Sequence, residues 1–143
     1  MKTGVLTLTM AFTLALAFLL VAGFPPSSGA GSCPDADSDT VCDVDDNCLT
    51  HPNVSQTDSN TDGYGNRCDP DMTNSLAVGN GDKGLFLQSF GFAFPAPGYN
   101  PDADFDEPPN NAAGNGDKGI LLQFFGLPPG PSGKSCAGSP PCP

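Results

Sequence analysis

Between Asp58 and Asp69 the chain reads DSNTDGYGNRCD, with oxygen-bearing side chains at alternate positions and then a glycine. Counted from Asp58, the residues Asp58, Asn60 and Asp62 stand at one, three and five, Gly63 at six, Asn66 at nine and Asp69 at twelve, with the Tyr64 carbonyl at seven. Calcium is a hard cation that takes about six to eight oxygens, and a loop of about twelve residues supplies them from these positions, with glycine at six for the sharp turn. The short arm of Asp69, where a Glu would reach further, lowers the expected affinity.

A second stretch, DADSDTVCDVDD, places Asp35, Asp37, Asp39, the Val41 carbonyl, Asp43 and Asp46 at the same six positions. Thr40 stands where the turn glycine would be. Carboxylates crowded in this way repel one another by something on the order of several kcal/mol unless a cation joins them, so such a loop is either open or filled. The competing reading is a solvated acidic spacer with no preference for any ion.

The elements that must hold these loops are sparse. The sequence has 143 residues, 18 Gly, 16 Pro, no Trp and a formal net charge of -11. That composition offers little apolar area to offset chain entropy, so cross-links and bound cations must do part of the work. Lys2 followed by an apolar run from Val5 to Val21, then Gly23, prolines and small residues, reads as a secretory signal peptide over residues 1–30, cleaved between about 23 and 30. A retained membrane anchor is the alternative. Processing would remove Lys2 and no acid, taking the charge from -11 to -12 and leaving Arg67, Lys83, Lys118 and Lys134 as the cationic side chains. So acidic a chain excludes nucleic acid as a partner and, beyond the leader, an anionic membrane surface. Six cysteines, all past the leader, suit disulfides in an oxidising, extracellular or cell-surface setting.

Composition divides the remainder into an acidic, cysteine-bearing segment (31–71), a more apolar segment (72–127) and a tail rich in Pro and Gly (128–143), expected to be unstructured apart from a Cys136–Cys142 staple. The apolar segment repeats itself: GNGDKGLFLQSFG from Gly79 returns as GNGDKGILLQFFG from Gly114, displaced by 35 residues. Apolar residues within each copy recur near helical spacing, Asp82 and Asp117 stand where a carboxylate caps a helix start, and Gly91 and Gly126 stand where a helix ends. Two short helices packed against each other, roughly antiparallel, with Phe90, Phe124 and Phe125 in the core, are the expected architecture. The fold class is therefore mostly irregular, with calcium- and disulfide-stabilised loops, a small α-helical hairpin and no substantial β-sheet.

Residues 35–71 resemble a thrombospondin type 3 repeat, in which an acidic loop, Asp-Asn-Cys, an Asn/Pro spacer with Gln and a second acidic loop ending in Cys-Asp follow one another. Here these parts are Asp46-Asn47-Cys48, His51-Pro52-Asn53, Gln56 and Cys68-Asp69. The resemblance implies a Cys48–Cys68 bridge, leaves Cys33–Cys42 as the upstream pair, and implies calcium ions in place of a hydrophobic core. His51 and Thr40 depart from the pattern, and weaken the Asp35 loop more than the Asp58 loop.

The repeated half resembles, more loosely, a dockerin-like module of two EF-hand-like loop-helix units. Counting back from Asp82 gives Asp71, Thr73, Ser75, the Ala77 carbonyl and Gly79; counting back from Asp117 gives Asp106, Pro108, Asn110, the Ala112 carbonyl and Gly114. Leu76 and Asn111 fall at the turn position, and starting the second loop at Asp104 puts Asp106 at position three of a longer loop. Weak cation binding is expected there, with the helices, through Leu87, Gln88, Leu122 and Gln123, available as a docking surface for a protein partner.

Catalysis is not expected. His51 is the single histidine and lies in a spacer without a nucleophile or second base at a useful spacing, so it reads as a packing or surface residue. The cysteines lack the paired spacing of a zinc site. Asn53-Val54-Ser55 fits a glycosylation acceptor.

Overall fold

A computed structural model describes residues 33–142, so the leader expected over residues 1–30 lies outside the described residues. These residues form two helices, α1 (Asn80–Ser89) and α2 (Asn115–Phe124), and two 3-10 turns, Asn66–Cys68 and Pro101–Ala103. The rest is irregular, with no strand among the described residues beyond one isolated antiparallel bridge between Ala93 and Ala112. Three disulfides join Cys33 to Cys42, Cys48 to Cys68 and Cys136 to Cys142, with Cα–Cα separations of 5.7, 5.8 and 5.4 Å. Three such bridges suit an oxidising, extracellular environment. No helix among the described residues is long and apolar enough to cross a membrane.

Each helix has 10 residues and carries internal glycines, too short and too flexible to persist alone, so tertiary packing must hold it. The helices begin at Asn80 and Asn115, placing Asp82 and Asp117 inside the first turn. From there each carboxylate reaches back to accept the Gly79 N–H at 2.6 Å or the Gly114 N–H at 2.7 Å, which satisfies an otherwise orphaned donor.

The sequence repeat is a pseudo-two-fold in the backbone. Gly91 N–H donates to Ala113 O at 2.8 Å and Ala113 N–H to Phe92 O at 3.0 Å; shifted by 35 residues, Gly126 N–H donates to Val78 O at 2.8 Å and Val78 N–H to Leu127 O at 2.9 Å. Each copy thus pairs the residue entering its own helix with the residues leaving the other.

The core differs from the expected one in its aromatic residues. Phe124 is buried and Phe90 half-buried, but Phe125 is 42% exposed, because it caps α2 with φ -58° and ψ 119° and leaves the helical path. Its place is taken by Phe105, 0% exposed, which comes from the connection and stacks on Phe86 with ring centroids 5.9 Å apart. The helix α1 packs on the Pro101–Ala103 turn of the same connection. Val78, Ala103, Ala113, Ile120 and Leu121 complete the cluster, to which the acidic segment contributes Cys48 and Cys68. His51 packs its ring on Phe124 at 5.2 Å, joining the acidic segment to α2, and burial together with the Arg67 charge holds its pKa below the usual value.

The tail, expected to be loose, lies across the acidic half instead. Gly130 N–H donates to Cys68 O at 3.0 Å, Leu49 N–H to Pro131 O at 2.9 Å and Gly133 N–H to Asp46 O at 2.8 Å, and Cys142 is buried. Proline and glycine suit this path, since it runs as isolated hydrogen bonds rather than a ladder, and a Cβ at Gly133 would overlap the Asp43 carbonyl.

Candidate metal centres

The four acidic loops share a left-handed turn residue. The residue six places along is left-handed in every case: Thr40 at φ 80°, Gly63 at 90°, Leu76 at 63° and, counted from Asp106, Asn111 at 60°. In three of them the fourth residue is left-handed too, Ser38 at 67°, Thr61 at 58° and Asn74 at 54°. Glycine adopts such a turn freely, whereas Thr and Leu do so against steric cost. The loops hold this shape whether or not glycine is present.

The carboxylate that opens each loop explains how. Asp35 accepts N–H bonds from Asp39 at 3.2 Å and Thr40 at 3.0 Å, and Asp58 from Asp62 at 3.3 Å and Gly63 at 2.9 Å. Asp71 accepts from Ser75 at 3.1 Å and Ala77 at 3.0 Å. In the fourth loop this role falls to Asp104, which accepts from Asn110 at 3.5 Å and Asn111 at 2.6 Å. The fourth loop therefore opens at Asp104 and is longer than the others, and Asp106 is its third residue. At the fifth position Asp39 and Asp62 each accept the N–H two residues on, from Val41 and Tyr64, at 2.8 and 2.9 Å. These local bonds are the turn chemistry of aspartate.

Two aspartate clusters could hold a metal ion. One carboxylate oxygen from each of Asp35, Asp37 and Asp39 lies within 4.8 Å of the others, and the same holds for Asp104, Asp106 and Asp117. In the first cluster both carboxylate oxygens of Asp37 are shut off from solvent and have no hydrogen-bond partner. Burial, then the charges of Asp39 and Asp46, raise its pKa. A buried carboxylate without donors is costly, and a proton or a cation would offset the cost. In the second cluster, Asp117 accepts N–H bonds from Phe105 at 2.7 Å and Asp106 at 3.1 Å, while burial raises its pKa and that of Asp104.

The Asp58 loop is arranged differently. The Asp69 carboxyl is pushed up to about 9 by burial, then by the charges of Asp62 and Asp71, and burial raises the Asp62 pKa as well. Asn66 turns its amide outward: its Oδ1 accepts the Ser59 N–H at 2.9 Å and its Nδ2 donates to Pro101 O and Asp104 O at 3.0 and 3.1 Å. The Pro101–Ala103 turn is thereby seated on the loop, and Asp102, whose pKa is raised by burial and by Asp58 and Asp62, faces it. Asp102 was not among the residues the sequence singled out; it lies far along the chain, and only the acidic run NPDADFDE hinted at it.

The Asp71 loop satisfies itself. Thr73 Oγ1 lies 3.0 Å from Asp71 Oδ1 and 2.8 Å from Asp82 Oδ1, and Ser75 Oγ lies 3.3 Å from Asp71 Oδ1, so hydroxyl groups partner the carboxylates here. Burial raises the Asp82 pKa, but the bonds from Gly79 and Thr73 outweigh it, and the net shift is downward.

Of the remaining predicted ligands, Asp43 accepts the Ala36 N–H at 2.8 Å, and Asp46 accepts from Cys48 N–H at 2.8 Å and Gln56 Nε2 at 2.9 Å. Asn60 Nδ2 donates to Asp62 at 3.3 Å, and Asn110 Nδ2 donates to Asp106. Between the loops, Asn47, Asn53 and Gln56 form a polar knot: Asn47 N–H donates to Gln56 Oε1 at 2.8 Å and Asn53 N–H to Asp39 at 2.9 Å. Asn53 is 1% exposed, so its glycosylation motif is closed on the folded chain.

A groove of about 810 Å³ between the acidic and repeated segments is lined by Pro52, Val54, Arg67 and Glu107 among others. Ser55 holds the Glu107 carboxylate through its N–H at 2.9 Å and Oγ at 2.6 Å, tying the two segments together. No protein-family model, curated protein or solved structure matches this chain.

Proposed function

We propose that the protein is a secreted, non-catalytic calcium-binding module of structural or adhesion type, built as a thrombospondin type 3-like repeat followed by a dockerin-like pair. The observation that carries this reading is Asp37, whose two buried oxygens lack any donor beside Asp35 and Asp39. Asp35, Asp37 and Asp39, with the Val41 carbonyl, would hold one ion. Asp58, Asn60, Asp62, the Tyr64 carbonyl and Asp69 would hold a second. Hard oxygen donors favour calcium over softer metals. Bound calcium would join carboxylates that otherwise repel, leaving the chain's own residues to shape the loops.

Calorimetric titration of the oxidised, processed protein with calcium, alongside far-UV circular dichroism, tests the reading. It predicts stoichiometric heat for at least about two ions and a gain of order; an acidic spacer predicts neither. Asp58→Ala with Asp62→Ala should remove one site.

A second reading, a docking module that anchors or assembles extracellular components, is supported by the pseudo-two-fold. It relates Leu87, 54% exposed, to Leu122, 56% exposed, and places Lys83 and Lys118 one helical turn before them. A pull-down from the native secretome with and without chelator, using Leu87→Glu and Leu122→Glu as controls, tests that role.

A further inference from the structure

The segment 128–142 is a strap whose hydrogen bonds converge on the turn of the Asp58 loop, and we propose that docking of this strap and cation loading of that loop strengthen each other. The inference rests on the calcium reading above and adds to it a means of control.

Three consecutive carbonyls of the loop, from Thr61, Asp62 and Gly63, accept bonds from the strap: Cys142 N–H at 2.7 Å, Gly138 N–H at 2.8 Å and Ser132 Oγ at 2.7 Å. These are the fourth, fifth and sixth residues, the stretch that carries the left-handed turn, with Thr61 at φ 58° and Gly63 at 90°. The side chains of Asp58 and Asp62 act on the inner side of that turn, through bonds to the Asp62, Gly63 and Tyr64 N–H groups. The strap acts on its outer side. Inner carboxylates and outer donors thus hold one conformation from opposite faces, and whatever fixes the turn from one side lowers the cost of binding on the other.

The disulfide between Cys136 and Cys142, six residues apart, encloses Gly138, so two of the three donors belong to one closed ring and are presented together. Packing leaves little slack: a Cβ at Gly63 would fall 2.5 Å from Cys142 Sγ and 2.9 Å from Ala137 Cα. The strap therefore requires glycine at this sixth position, where the sister loops make the same turn with Thr40 and Leu76. The strap also reaches the first loop, where Gly133 N–H binds Asp46 O at 2.8 Å. Its sequence, PPGPSGKSCAGSPPCP, contains no acid and so adds no repulsion to the carboxylates it crosses. Because linkage is reciprocal, calcium must tighten the strap by the factor by which the strap tightens calcium.

The test uses the full, disulfide-intact chain. Trypsin cleavage after Lys134 reports strap opening, and is timed in calcium and in chelator. Calcium is expected to slow cleavage at Lys134 by roughly tenfold or more. Gly133→Val, which sets a side chain against the Asp43 carbonyl, should abolish that protection and weaken calcium binding at the Asp58 loop by a similar factor. Ser132→Ala removes one outer donor without crowding, and should weaken the same site by roughly threefold to tenfold. Calcium binding with an unchanged cleavage rate at Lys134, or wild-type calcium affinity in Ser132→Ala with the strap open to trypsin, would overturn the coupling alone. Absence of any calcium heat would overturn the parent reading and the coupling with it.

Discussion

Thr40 in the acidic segment and Leu76 in the repeated segment occupy the same place in equivalent loops, at φ 80° and 63°, yet their surroundings differ in kind. Around Thr40 the buried groups are Asp39, Asp46, Asn47 and Asn53, and the cross-links are disulfides. Leu76 leads instead into a segment that buries Val78, Phe86, Phe105, Ile120, Leu121 and Phe124. One loop backbone is thus held in two ways: by charge and covalent bonds where apolar residues are scarce, and by an oily core where they are available. Beside the core, hydroxyls such as Thr73 Oγ1 complete the carboxylates of the Asp71 loop, while Asp104, Asp106 and Asp117 still crowd together. Away from it, Asp37 is left without a partner.

The sharpest way to break this contrast is to remove the core from the repeated half. Phe105→Ala deletes the ring stacked on Phe86 and should cost about 3–5 kcal/mol, melting both helices with or without calcium. Chemical denaturation followed by helical circular dichroism checks it; equal loss in both halves would show that they are not independently held.

Asp37→Asn should act in opposite directions in the two states. Without calcium it removes one charge from the Asp35–Asp39 cluster and should stabilise the chain. In calcium it should abolish the heat of one site. Thermal melts in chelator and calorimetry in calcium read the two effects.

The join between the halves is pH-sensitive through His51. Its folded-state pKa lies below 6.5 because of burial and the nearby Arg67 charge, so the unfolded chain binds the extra proton more readily. Stability is fully present above pH 6.5 and declines as the pH falls below it. Melting temperatures from pH 8 to 5, in buffer with calcium, should show that decline, and His51→Phe, which keeps a ring on Phe124, should remove it.

The smallest effect concerns the turn itself. Leu76 is 56% exposed and held in the left-handed region, so Leu76→Gly should stabilise the repeated half by about 0.5–1 kcal/mol. A denaturant midpoint that moves the other way would mean that Leu76 packs against the strap more firmly than its strain costs.

Much of the fold was legible because its signals are local. Alternating aspartates marked the acidic loops, the 35-residue repeat marked both helices, and Gly91 and Gly126 marked their ends. The unread parts depend on residues distant in sequence. Phe105 lies in a polar connection, where a lone aromatic gives no periodic signal, yet it fills the core. Asp102 faces the Asp58 loop from the other half of the chain. The Pro- and Gly-rich strap has no pattern to read, because its order comes from single hydrogen bonds to carbonyls far along the chain. The extra length of the fourth loop was visible as an alternative at Asp104, and only the N–H groups of Asn110 and Asn111 decide it.

The central claim is that divalent ions organise the acidic half, whereas the repeated half stands on its core. Residue-resolved hydrogen exchange of the oxidised chain, in calcium and after exhaustive chelation, tests it most directly. The account predicts that protection at Val41, Gly63 and Tyr64 collapses on chelation while the amides of α2 around Leu121 keep theirs. Equal protection of both regions in the two conditions would contradict it.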